Sequence, residues 1–258
     1  MNSLYYKDQG RGPILIFLHG FCETHRIWDD LVTELSQNFR VITLDLPGFG
    51  KSPILKRPFS IKEVGHSVVA LLIEIGVQKC VIIGHSLGGY VVLAAAEERP
   101  DLFLGLCLFH STAQADSEEK KINRNRVIEF VKKNGVHPFI ATFVPGLFFQ
   151  REHQKIEKVY RIALKTSKKA ILDYSQAMRD RPDMINFLER FQNKTLFIAG
   201  EQDSIISVAV LKEQSKVARA GKLEVLAKTG HMGMFEDKDE TVRVLNGYAK
   251  ACFSLNSI

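Results

Sequence analysis

Residues Cys80–Ala96 read CVIIGHSLGGYVVLAAA. An apolar run of strand length, Cys80 to Ile83, meets a polar knot containing His85, Ser86 and three glycines. A helix-forming run from Tyr90 follows. Gly84-His85-Ser86-Leu87-Gly88 fits G-x-S-x-G between a strand and a helix, the setting in which that motif holds a nucleophilic serine on a strained turn. Glycines two residues to either side of Ser86 remove side chains that the turn would force together. The helix opening at Leu87 points its N-terminal N–H groups at the site, which favours developing negative charge there. An ordinary turn would leave the serine without partners; a nucleophile needs a histidine and an acid from elsewhere in the chain.

Working outward, short apolar runs bounded by Gly, Pro or Asp recur: PILIFLHG (13–20), RVITLDLPG (40–48), KCVIIGHS (79–86), GLCLFHS (105–111), KTLFIAGEQD (194–203) and KLEVLAKTGH (222–231), with Leu4–Lys7 as a short edge strand. Runs apolar on both faces indicate parallel strands covered by helices. Helical patterns lie between them, at 27–38 and at 60–76, where Ser60 and Glu63 form a capping box. The alternation predicts a doubly wound, mostly parallel sheet of about seven to eight strands in an α/β fold.

Between Ser111 and Thr195 no strand pattern occurs. Helices are expected near 117–134, 137–149, 151–166, 168–179 and 183–191, where an ordinary crossover needs only one. The expected organisation is therefore a core of residues 1–111 and 195–258, with residues 112–194 as a helical cap over the sheet end. This interval holds 17 Lys and Arg against 10 Asp and Glu, so it carries the positive excess of a chain whose net charge is +6. The excess suits either a solvated helical surface or attraction for an anionic substrate or an acidic carrier protein.

The partners of Ser86 are expected in the order serine, acid, histidine. His231 follows the last strand and precedes the terminal helix, which places it at the sheet end that Ser86 occupies. His137 and His153 lie in the cap, and His110 has no strand-end acid between it and Ser86. Asp203 closes LFIAGEQD at a strand's carboxyl end; Glu201 and Asp116 are the alternative acids. His231 would then serve as general base, Asp203 as its orienting acid, and Leu87 N–H as one oxyanion donor, with a second from the loop FLHGFCETHRIW. His85 is expected to pack or to sit at the rim.

The ordered set His19-Gly20-Phe21, DLPGFGKS (45–52), GHSLGG (84–89), AGEQD (199–203) and Gly230-His231 resembles the α/β-hydrolase superfamily, in its serine-nucleophile, carboxylesterase-like branch. The resemblance spans nearly the whole chain, with the first hairpin abbreviated. It implies that Phe21 N–H is the second oxyanion donor, that His19 structures its loop, that Trp28 packs behind that loop, and that DLPGFGKS is a structural turn rather than a phosphate loop. It implies cleavage of a small carboxylic ester through an acyl-serine, with no cofactor and no metal. Acyl-carrier methyl esterases, carbon–carbon bond hydrolases, perhydrolases and a lyase share the same serine constellation, and some relatives act as ligand receptors with little turnover. Members that use aspartate as nucleophile, haloalkane dehalogenases and most epoxide hydrolases, are disfavoured by Ser86.

Phe139, Phe143, Leu147 and Phe148 are the candidate acyl-pocket residues, although at helical spacing they equally form cap core. Cys22, Cys80, Cys107 and Cys252 show no metal-ligand spacing. No nucleic-acid signature, signal peptide or membrane span is evident, so a cytoplasmic protein acting on a small ester or acyl substrate is expected.

Overall fold

The computed structural model describes residues 4–56 and 58–254. Seven strands are formed among them: β1 (Tyr6–Gln9), β2 (Ile14–Leu18), β3 (Arg40–Leu44), β4 (Cys80–His85), β5 (Phe103–Phe109), β6 (Lys194–Gly200) and β7 (Gly221–Leu226). They make one sheet in the order β1-β3-β2-β4-β5-β6-β7. Every pairing is parallel except that of the four-residue edge strand β1 with β3. Because β4 is buried along all six residues, it can lie only in the middle of a sheet covered on both faces.

The helices are α1 (Asp29–Leu35), α2 (Ile61–Glu74), α3 (Leu87–Glu98), α4 (Glu118–Asn134), α5 (Val136–Gly146), α6 (Ile156–Ala163), α7 (Lys168–Arg179), α8 (Ile185–Arg190), α9 (Val208–Val217), α10 (Gly233–Glu236) and α11 (Lys238–Phe253). The capping box at Ser60 and Glu63 opens α2 as its spacing predicts, with both reciprocal bonds made. Five helices, α4 to α8, fill the chain between β5 and β6. The segments expected at 137–149 and 151–166 are shorter, ending at Gly146 and starting at Ile156. The stretch between them gives its backbone groups to the core: His231 N–H donates to Leu147 O at 2.8 Å, and Phe149 N–H to Glu236 Oε1 at 2.7 Å.

All six parallel strands end at one edge of the sheet. The chain moves from β3 at one side of β2 to β4 at the other, so the strand order reverses between β2 and β4. Crevices for ligands open at such a point, beyond the carboxyl ends of the strands.

Candidate active site

Six loops meet at that edge. His19, Gly20 and Phe21 follow β2, Asp45 follows β3, Ser86 follows β4, His110 and Ser111 follow β5, Asp203 follows β6 and His231 follows β7. The serine, acid and histidine singled out from sequence therefore share one face by topology alone.

Ser86 sits at the apex of the β4–α3 turn with φ 49° and ψ −113°, a conformation that L-residues rarely adopt. Such strain costs about 1–3 kcal/mol and persists only where the surroundings hold it. Here Ser86 N–H donates to Phe109 O (2.9 Å), while Ser86 O accepts from Gly89 N–H (2.9 Å) and from Ser111 Oγ (2.6 Å). A Cβ at Gly84 would collide with the carbonyl of Gly88, and one at Gly88 would lie 2.6 Å from Leu18 O, so both flanking positions require glycine.

His231 is buried, and its Nδ1 lies 2.7 Å from Asp203 Oδ2. Asp203 Oδ1 accepts from the N–H groups of Ile205 (2.8 Å) and Ile206 (3.1 Å). Burial works against the Asp203 charge, but His231 and His110 hold its carboxyl far below the usual carboxylate range. The acid is thus a fixed anion that requires a proton on His231 Nδ1, leaving Nε2 free to accept one. The alternative acids are engaged elsewhere. Asp116 forms buried ion pairs with Arg181 (2.7 Å) and Arg124 (3.1 Å), and Glu201 accepts from Lys228 N–H.

Leu87 is the first residue of α3, where a helix leaves its N–H unsatisfied by its own carbonyls. Phe21 lies in the loop after β2, its ring against Phe49, Phe139 and Phe143. His19 braces that loop: its Nε2 accepts from Leu46 N–H (2.9 Å), so its proton is on Nδ1, which donates to Gly20 O (2.7 Å). Burial lowers its pKa and keeps it neutral. Asp45, in DLPGFGKS, accepts from His25 N–H, His25 Nδ1 and Lys51 N–H, and so stitches that turn together. Trp28 is fully buried between Phe17 and Phe109.

Of the candidate pocket residues, Phe139 and Phe143 stack on each other at 5.2 Å and meet Phe21 at its edge. Leu147 reaches the site through its carbonyl, which takes His231 N–H. Phe148 stacks between His153 and Phe235.

Two residues at this edge, Ser111 and Glu23, escape the sequence reading, and a third, His110, is weighed there only as a partner of Ser86 and set aside. Ser111 clamps the Ser86 carbonyl. Glu23 accepts from Gly20 N–H and meets the buried His85. His110, fully buried with φ 46°, places Nδ1 3.3 Å from Asp203 Oδ2 while its Nε2 accepts from Gly233 N–H. Burial lowers its pKa to about 4, so it faces the acid as a neutral ring. The one available signal was that residues 110 and 111 close a strand at the same sheet edge as Ser86.

The family model describing the alpha/beta hydrolase fold matches residues 13–133, which include Ser86 and both proposed oxyanion residues. A pimeloyl-[acyl-carrier protein] methyl ester esterase from Wigglesworthia glossinidia brevipalpis is 25% identical over 222 residues, covering 82% of this chain and 83% of the relative. The 3-oxoadipate enol-lactonase 1 of Acinetobacter baylyi is 21% identical, covering 96% and 93%. Among solved structures, a thermophilic esterase from Thermogutta terrifontis superimposes with a TM-score of 0.91 at 27% identity, over 96% of this chain and 93% of the esterase. The chain has the α/β-hydrolase fold and is a hydrolase of that fold.

Proposed function

We propose that the protein hydrolyses a small carboxylic ester through an acyl-serine intermediate, with Ser86 as nucleophile, His231 as general base and acid, and Asp203 as the orienting acid. The observation that carries this reading is a strained serine at the strand edge that also bears a 2.7 Å His231–Asp203 pair. His231 Nε2 takes the Ser86 Oγ proton as the oxygen attacks the ester carbonyl. The tetrahedral oxyanion is met by the N–H groups of Phe21 and Leu87. Collapse breaks the carbon–oxygen bond to the alcohol, which leaves with the proton from His231. Water then gives a proton to His231 and attacks the acyl carbon. The second tetrahedral species collapses to the acid, and Ser86 regains its proton. Phe139 and Phe143, beside Phe21, suit the acyl side of the substrate.

Hydrolysis of short-chain nitrophenyl esters by wild type and Ser86→Ala tests the assignment. Turnover that survives in Ser86→Ala at wild-type rates contradicts it.

A second reading, an ester borne by an acidic carrier protein, is favoured by the surface of α4. Ile122 and Phe130 are exposed on this helix, within the interval that carries the net positive charge. The Wigglesworthia relative acts on such a carrier-bound ester. Salt screens exposed charges over about 10 Å at 0.1 M. Turnover of a carrier-linked ester should therefore fall severalfold with added salt while that of a neutral ester holds. Equal responses count against this second reading.

A further inference from the structure

We infer that the buried pair His85–Glu23 is a positioning device that locks the loop of the oxyanion donor Phe21 to the loop of the general base, with His85 carrying a proton on both ring nitrogens. This inference rests on the triad assigned above and assigns no chemistry to His85 itself.

The geometry defines the protons. His85 Nε2 lies 2.8 Å from the carbonyl oxygen of His231, which can only accept, so Nε2 must donate. His85 Nδ1 lies 2.9 Å from Glu23 Oε2, and the same oxygen accepts from Gly20 N–H at 2.6 Å. A carboxylate oxygen taking both donors leaves the second proton on Nδ1. The two side chains are 1% and 2% exposed, so no water competes for these bonds. Burial opposes charge on each partner. Their mutual attraction prevails, raising the His85 pKa and lowering that of Glu23.

Other groups facing the pair agree. The Asp203 charge favours the His85 proton. The rings of His231 (5.0 Å) and His110 (6.1 Å) stand near His85. Trp28 and Phe109 cover the remaining sides edge-on.

One chain of bonds thus runs from Gly20 N–H to Glu23, to His85, to His231 O, joining the loops after β2 and β7 through the end of β4. Its ends adjoin functional atoms: Phe21 follows Gly20, Ser86 follows His85, and His231 bears the base. The chain also accounts for glycine at position 20, where a Cβ would lie 2.6 Å from His85 Nδ1 and 2.7 Å from Glu23 Oε2. Buried ion pairs commonly add little net stability, so a positioning role gives this one a reason to exist.

The test uses the full chain, with Glu23→Gln and His85→Gln beside wild type, a neutral nitrophenyl ester, and ¹⁵N spectra of the histidine rings. Wild type should show one histidine that stays protonated on both nitrogens at pH values where a free imidazole has lost its second proton, absent in His85→Gln. In Glu23→Gln that signal should lose its second proton at lower pH. The same variant should lose about 10- to 100-fold in kcat with KM within about twofold. That is less than the 10²–10³ that follows removal of an oxyanion donor, because the donor is displaced and not deleted. A purely structural lesion would leave the ring signal in place and move KM with kcat. The inference is overturned by a wild-type spectrum without such a histidine, or by a Glu23→Gln enzyme with wild-type kcat. The wild-type spectrum decides the protonation claim even if a variant does not fold. It does not depend on turnover, so failure of the triad, read from Ser86→Ala, remains distinguishable.

Discussion

Both oxygens of Asp203 are engaged, and each constrains the chemistry differently. Oδ1 takes two backbone N–H groups and is thereby fixed in the loop after β6. Oδ2 faces two imidazoles, His231 at 2.7 Å and His110 at 3.3 Å, and His110 can offer only Nδ1–H because Gly233 N–H occupies its Nε2. In Asp203→Asn the amide oxygen can keep the backbone donors, so its NH₂ would point at His231 Nδ1. The ring would then carry its proton on Nε2 and present a donor to Ser86. Loss of tautomer control of this kind costs about 10⁴ in kcat. Asp203→Asn should show a loss of that size with near wild-type thermal stability. Activity within tenfold of wild type contradicts the assignment of the acid.

At the scale of elements, the alternation of strand and helix, the capping box of α2 and the turn at Ser86 were all legible, because each is written in local pattern. So were His231 and Asp203, whose positions after their strands are a matter of order along the chain. What local pattern missed was decided by distant partners. Glu23 has no partner within its own loop beyond Gly20, and its meaning comes from His85, 62 residues away. His110 faces an acid that arrives 93 positions later in the numbering. β5 begins at Phe103 and not at Gly105, because Gly105 lies mid-strand beneath Tyr248 and Cys252 of α11. The break between α5 and α6 falls where His231 N–H and the Glu236 side chain take over backbone bonds. Arg181 is another long-range tie: it pairs with Asp116 and stacks over Tyr90 of α3 at 3.9 Å, fastening the inserted helices to the core.

For the whole molecule, buried histidines set how stability responds to acid. His110 binds its proton at about 4 when folded and near 6.5 when unfolded. The unfolded chain therefore holds more protons between those values, and stability must fall as pH drops from about 6.5 to 4, by up to roughly 3 kcal/mol. His19, also lowered by burial, acts in the same direction. The Asp203 contribution is present above the ordinary carboxylate range and fades only below about pH 4. His85 has the opposite sign: its contribution is complete below about 6.5 and is lost as pH rises through its folded value. Denaturant midpoints between pH 7 and 4.5 should decline, and less steeply in His110→Gln; equal slopes would remove His110 from this account. Among the described residues no helix is long and apolar enough to cross a membrane. The central claim, that Ser86 is the nucleophile set at the carboxyl edge of this sheet, is tested most directly by mass measurement of the active-site peptide after reaction with a fluorophosphonate. The account predicts one phosphonyl adduct on Ser86 and none in Ser86→Ala, whereas an unmodified Ser86, or an adduct on another residue, contradicts it.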